Sequence, residues 1–493
     1  MKRGSGVLLH ISSLPSAFGI GTFGGAAYEF IDFLKRAGQK YWQILPLSPT
    51  GFGDSPYQSY STFAGNPYFI DLDKLAESGN LSPDDYRFLD WGSNLEFVDY
   101  GKLFQNRMSV LKIAYKKDRA DIEKDLLEFR SKEAYWIENY AMFMALKYES
   151  GLKPYWKWDE DILLRKPEAM ANAYDRLAEE IEFWVYVQYR FFEQWNKLKN
   201  YANENGIEII GDIPMYVAED SADAWAHDEI LQLDEKRRPI AVAGCPPDYF
   251  SPKGQMWGNP LYDWERLKEM NYEWWVLRIK KLLNTCDIVR IDHFRAFSEY
   301  YSIPYGDEDA TGGKWIKGPG KDFFDVLKRE LSENPKIIAE DLGTIDDKVR
   351  DLLKYTKFPG MKVLQFAFDP SGKSEYLPHK YEHNCVAYIG THDNDTAESW
   401  LKTENADNVE FARRYMRLNK DEGERIGFIK SLLASPADVA IITMQDILGL
   451  GESSRMNVPS RADGNWQWRL MNNFLFFDST ADWIRDITEL YGR

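Results

Sequence analysis

Val289-Arg290-Ile291-Asp292-His293-Phe294-Arg295 sets charged side chains inside a run that otherwise reads as a buried β-strand. Ile288, Val289 and Ile291 give it the apolar, β-branched character of a strand covered on both faces. Alternation puts Arg290 and Asp292 on one face and Ile291 on the other. A carboxylate in such a setting is costly to bury unless it is paired or put to use.

Working outward, the same feature ends three more apolar runs. They are Gly211-Asp212-Ile213-Pro214, Ile338-Ala339-Glu340-Asp341-Leu342-Gly343 and Gly390-Thr391-His392-Asp393-Asn394-Asp395. In all, eight segments read as buried strands: residues 6–11, 41–47, 207–217, 287–294, 336–342, 361–368, 385–391 and 438–447. Helical spacing of apolar residues occupies 26–37, 272–283, 323–331, 346–355 and 478–491, with Thr344 and Asp347 predicting a capping box before the fourth of these. Eight strands alternating with helices predict an α/β fold, a (β/α)8 TIM barrel. One catalytic barrel is expected over 1–493. Large, mainly helical insertions follow strand two (48–206, with helical stretches at 132–148 and 174–200) and strand three (218–284). The second insertion holds a Pro-, Gly- and aromatic-rich segment, 244–260, expected to fold over the cleft as a lid. In a barrel of this kind reactive groups project from the C-terminal strand ends, which is where the four acids fall.

Composition narrows the partners. The 493 residues are 44% hydrophobic and 28% charged, an ordinary globular balance. A formal charge of −17 sets a field that opposes nucleic acid and suits a neutral substrate. Aromatic residues reach 15%, including 17 Trp; most are expected in the core, and flat aromatic faces also suit neutral sugar rings. No run approaches the ~20 apolar residues of a membrane span, and residues 7–9 are too short a run for a signal-peptide core. Three cysteines exclude an even disulfide set; Cys286 and Cys385, beside apolar strands, are expected to be reduced and buried, which points to a cytoplasmic protein. Gly19-Ile20-Gly21-Thr22-Phe23-Gly24 matches the dinucleotide pattern, but lies too far from the first strand and lacks the ribose acid, so it is expected to be a turn. No histidine pair has metal-ligand spacing; His10, His293 and His392, at strand ends, are candidates for sugar hydroxyls.

Retaining cleavage of a glycosidic bond needs one carboxylate nucleophile and one carboxylic acid for the leaving oxygen, and a third acid can steady the oxocarbenium-like state. Arg290 beside Asp292 is expected to keep that acid ionised, and Glu340, ending an apolar strand, is suited to a raised pKa.

With these motifs in hand the chain resembles the amylomaltase, or 4-alpha-glucanotransferase (disproportionating enzyme), family of the α-amylase-like group. Besides the acidic strand ends, the matching segments include Gly53-Asp54-Ser55-Pro56-Tyr57-Gln58-Ser59, Pro246-Pro247-Asp248-Tyr249-Phe250-Ser251, Gln255-Met256-Trp257-Gly258-Asn259-Pro260, Arg455-Met456-Asn457 and Gly464-Asn465-Trp466-Gln467-Trp468-Arg469. The resemblance spans nearly the whole chain. It implies Asp292 as nucleophile, Glu340 as acid/base and Asp393 as transition-state stabiliser. It places Asp212, Arg290, His293 and His392 around the cleaved glucose. Tyr57, Tyr249, Phe250, Gln255, Trp257 and Asn465 are implied in binding the glucan. It implies no cofactor and no metal, α-1,4-glucans and maltooligosaccharides as partners, neither nucleic acid nor membrane, and a monomer or weak homodimer. The implied reaction moves a glucan segment from donor to acceptor, cycloamylose arising when the acceptor is the far end of the same chain. The nearest rival is an α-glucan hydrolase of the α-amylase type; a more distant one is a magnesium-dependent barrel lyase.

Overall fold

The computed structural model describes residues 1–51, 53–247, 251–459, 461, 463–471 and 478–493. Twelve strands occur among them: β1 Gly4–Leu8, β2 Tyr41–Gln43, β3 Glu208–Ile213, β4 Ala241–Cys245, β5 Gln255–Pro260, β6 Ile288–Ile291, β7 Glu299–Pro304, β8 Lys314–Lys317, β9 Ile337–Ala339, β10 Gly360–Val363, β11 Cys385–Tyr388 and β12 Val439–Thr443. The eight expected strands are β1, β2, β3, β6, β9, β10, β11 and β12. They form one sheet in the order β10-β11-β12-β1-β2-β3-β6-β9, every ladder parallel. Its two edges meet through single bonds rather than a ladder: Ala339 N donates to Pro359 O at 2.9 Å and Met361 N to Asp341 Oδ1 at 2.6 Å. This is a (β/α)8 barrel, nearly closed.

Period two explains its interior. Leu8, Ile210, Ile288, Ile338, Val386 and Ile441 point to the axis and pack as one apolar cluster with Tyr41, Met361 and Tyr388. Two residues further along β3, β6 and β9 come Asp212, Arg290 and Glu340, with Asp292 two beyond Arg290, so the apolar plug is the floor of a charged mouth.

Around the barrel run the helices Gly25–Arg36, Glu273–Thr285, Lys321–Glu330, Asp347–Thr356 and Asp478–Leu490. The expected capping box at Thr344 is not formed. Asp346 is the N-cap and its side chain accepts from Val349 N at 3.0 Å, because it stands one residue before the first turn, within reach of the third amide. The segment 48–206 supplies the helices Tyr100–Asp118, Glu123–Lys132, Ile137–Glu149 and Ala178–Glu204. These pack onto the barrel in one continuous core. Phe23 from the β1–β2 connection meets Phe191 at 5.1 Å and Trp195 at 5.2 Å, and Trp195 Nε1 donates to Thr285 O.

A second, antiparallel sheet in the order β5-β4-β7-β8 has no counterpart in the sequence expectation. It joins two strands of the segment after β3 to two strands of the connection after β6, and stands beside the barrel mouth. Gly21 of the dinucleotide-like motif packs against the backbone: a Cβ there would lie 1.8 Å from Ile11 O. The motif is a tight turn. Among the described residues, no helix is long and apolar enough to cross a membrane, and Cys286 and Cys385 are buried and form no disulfide.

Candidate active site

The C-terminal strand ends open into a cleft of about 2570 Å³, well above the ~300–1,000 Å³ of a site for one small molecule. Asp292, Glu340 and Asp393 all line it, with Tyr57, Arg290, His293 and His392. Parallel pairing of Ile291 with Ala339 makes Asp292 and Glu340 neighbours, each the next residue beyond a paired one.

Arg290 organises the floor. Its Nη1 donates to both oxygens of Asp212, at 2.8 and 2.7 Å, and its Nη2 to Asp292 Oδ1 at 2.9 Å. Tyr57 completes the Asp212 shell with a 2.6 Å hydrogen bond to Oδ2. Asp212 is 2% exposed and lies beneath the cleft wall rather than on it, so the expected contact with sugar becomes one with Arg290 and Tyr57. Asp292 Oδ2 has no protein hydrogen-bond partner among the described residues and is free to face a ligand. Burial pushes the Asp292 carboxyl up to about 6 despite Arg290, which pulls it down; Asp212 and Asp393 add to the rise. Arg290 favours the ionised form of Asp292, as expected, and desolvation works against it.

Glu340 is 9% exposed. Its Oε2 accepts from His293 N and its Oε1 from Leu342 N, each at 2.7 Å. Burial, then the charge of Asp292, pushes it up to about 8, outweighing Arg290 and the two amides. At neutral pH the pair thus holds a protonated Glu340 beside an ionised Asp292. His293 takes a left-handed backbone (φ 49°), which turns its N–H toward Glu340. Its ring packs edge-on against Trp257 at 4.9 Å, burial lowers it to about 3, and its buried Nε2 has no hydrogen-bond partner among the described residues. A neutral imidazole with a free nitrogen suits a hydroxyl.

Asp393 faces the pair from beyond β11. Asn457 Nδ2 donates to its Oδ1 at 2.6 Å, Arg455 Nη2 to its backbone oxygen at 2.7 Å, and His392 Nε2 lies 3.3 Å from Oδ1. His392 stacks on Tyr57 with ring centroids 5.2 Å apart, and Trp466 approaches both rings. Gln255, Trp257 and Asn465 also line the cleft. The Asn465 amide is engaged within its own loop, accepting from Val458 N and donating to Arg461 O. Tyr249 and Phe250 lie outside the described residues. His10 is not on the cleft wall: burial holds it down at about 3, and its Nδ1 accepts from Leu45 N. Arg455 and Asn457 lie in a segment that carried the resemblance but were given no site role, since both sit on a loop after the last strand where no periodicity places them. Among the described residues, no group of three or more His, Cys, Asp and Glu side chains is disposed to hold a metal.

A parallel barrel whose mouth carries a neutral and an ionised carboxyl side by side, a third acid opposite, and aromatic walls defines an enzyme of glycosidic bonds. A family model described as 4-alpha-glucanotransferase matches residues 9–473. Curated 4-alpha-glucanotransferases from Clostridium butyricum and Thermus thermophilus are 49% and 45% identical, covering 98% and 96% of this chain and 100% and 95% of their own. The amylomaltase from Streptococcus agalactiae, solved in complex with acarbose, superposes with a TM-score of 0.98 at 42% identity over 100% of both chains. The chain belongs to the 4-alpha-glucanotransferase family.

Proposed function

We propose that this chain, a 4-alpha-glucanotransferase, moves segments of α-1,4-glucans by retaining double displacement on Asp292, Glu340 and Asp393. The reading is carried by one observation: Asp292 and Glu340 leave adjacent strand ends into the same cleft, where Arg290 holds Asp292 Oδ1 and leaves Oδ2 open, while burial and the charge of Asp292 raise the Glu340 carboxyl. Glu340 gives its proton to the glycosidic oxygen as Asp292 Oδ2 attacks the anomeric carbon. The shorter glucan leaves as an alcohol and a glycosyl ester remains on Asp292. The 4-hydroxyl of an acceptor then loses its proton to Glu340 and attacks the same carbon, which frees Asp292. Asp393, held by Asn457, and His392 grip hydroxyls of the reacting sugar and steady its positive charge. Arg290 restrains one Asp292 oxygen and leaves the other to react. The buried, unpaired Cys286 and Cys385 support a cytoplasmic location.

Incubation with maltotriose, without added metal, tests the activity. Transfer yields glucose together with longer glucans at a constant number of reducing ends. A steady rise in reducing ends would instead mark a hydrolase.

A further inference from the structure

The second sheet brings an aromatic ring to the cleft that the triad does not use. Trp315, on β8, lines the cavity beside Leu342, Gly343 and Thr344, the residues that follow Glu340, yet is 37% exposed. Isolated exposed aromatics are ordinary on a protein surface. This one is fixed in place. The Arg295 guanidinium lies over its ring, 3.9 Å from the centroid, and Tyr301, its partner across the β7–β8 ladder, packs edge-on at 5.2 Å and 66°. Arg295 in turn donates to Thr344 O and faces Asp346 Oδ2 at 3.5 Å. It stands three residues after Asp292, and Thr344 four after Glu340. Trp315 is thereby tied to both catalytic strands while part of its surface stays open to the cleft. The acid that protonates the leaving oxygen marks the side on which the leaving glucan, and later the acceptor, must lie. Through Arg295, Trp315 is joined to the loop that follows that acid.

We propose that Trp315, braced by Arg295, is the stacking platform of an outer acceptor subsite, taking a glucose unit beyond the one whose 4-hydroxyl reacts. The ring presents a flat apolar surface to the C–H face of a sugar, and its bracing means little side-chain freedom is lost on binding. Glucose as acceptor cannot reach it; maltotriose can. The proposal rests on the transfer reading above.

The test uses the full chain with α-maltosyl fluoride as donor and either glucose or maltotriose as acceptor, following fluoride release and product length. Trp315→Ala is expected to raise KM for maltotriose as acceptor about tenfold. KM for glucose should stay within about twofold, with kcat and its pH profile unmoved. Trp315→Phe should restore most of the loss, and Trp315→Leu, bulky but not flat, should repeat the Ala pattern and stands in for it if Ala fails to fold. Equal changes for both acceptors, or none for either, would overturn the platform. A fall in kcat with a shifted pH profile would also overturn it, showing that Trp315 acts on Glu340 through Arg295. A wild-type chain that forms no transfer product with either acceptor would refute the transfer reading itself, a result visible before any substitution is made.

Discussion

At the scale of single residues, the site depends on two carboxyls that burial drives in the same direction by different amounts. Both rise, Asp292 to about 6 and Glu340 to about 8. In the proposed mechanism turnover requires the first ionised and the second protonated, so kcat/KM should climb as pH rises through about 6 and fall as it passes about 8. A profile flat across that window would contradict the assignment of the pair. The same shift bears on stability. Glu340 binds its proton more tightly folded than unfolded, so folding stability falls as pH rises from its ordinary value of 4.5 toward 8. Glu340→Gln removes that ionisation. The variant should lose activity and melt higher than the wild type, with a Tm difference that grows between about pH 5 and pH 8. A difference independent of pH would show that the folded-state shift is absent. Asp292 does not offer as clean an experiment, because its neighbour Arg290 also holds Asp212.

At the scale of elements, the barrel was legible because its strands carry two signals at once. Ile288, Val289 and Ile291 mark β6 as buried, and period two then forces Arg290 and Asp292 to the axis whatever the rest of the chain does. Asp212 and Glu340 follow by the same rule on β3 and β9. That rule gives direction but not depth, so it did not separate Asp212, beneath the cleft wall, from Glu340, on it. The second sheet escaped because Gln255–Pro260 and Lys314–Lys317 are short, interrupted by Gly and Pro or flanked by Gly313 and Gly318, and are the edge strands of a sheet whose central ladder pairs β4 with β7, Ala241 opposite Pro304, across a large sequence distance. Asn457 escaped for a related reason: its partner Asp393 is fixed by a strand, whereas it is placed by the loop packed over that strand's end. The glycine motif at 19–24, whose spacing from the first strand argued against a ligand despite its pattern, serves packing. Gly21→Ala should therefore destabilise by about 3 kcal/mol or more, at the upper end for forced overpacking, because the added carbon meets the Ile11 carbonyl rather than a pliable side chain. Urea denaturation monitored by Trp fluorescence measures it. An unchanged midpoint would mean that the turn is not held as described.

At the scale of the whole molecule, the question is whether the helices of 48–206 are a separate body or part of the barrel. Their contacts argue for one cooperative unit. Phe63, Trp136, Phe143, Phe191 and Trp195 belong to the same buried cluster as Phe23, Phe30 and Trp42. Across the junction Trp195 Nε1 donates to Thr285 O at 2.9 Å, Thr22 Oγ1 to Asp71 Oδ2 at 2.6 Å and Arg107 Nη2 to Phe18 O at 3.2 Å. Buried polar groups satisfied only across the junction cannot be separated without exposing them, at about 1–3 kcal/mol for each one left unpaired. The insertion also carries Tyr57 to the floor of the active site, so its loss would remove a partner from Asp212. Calorimetry should accordingly show one transition whose van't Hoff and calorimetric enthalpies agree, with tertiary and secondary signals lost together. Limited proteolysis during that transition should release no stable fragment bounded near residues 48 and 206. A lower-temperature event confined to the helices, with the parallel sheet and the Asp292–Arg290 contact intact, would establish two bodies and leave Tyr57 positioned by docking rather than by a shared core.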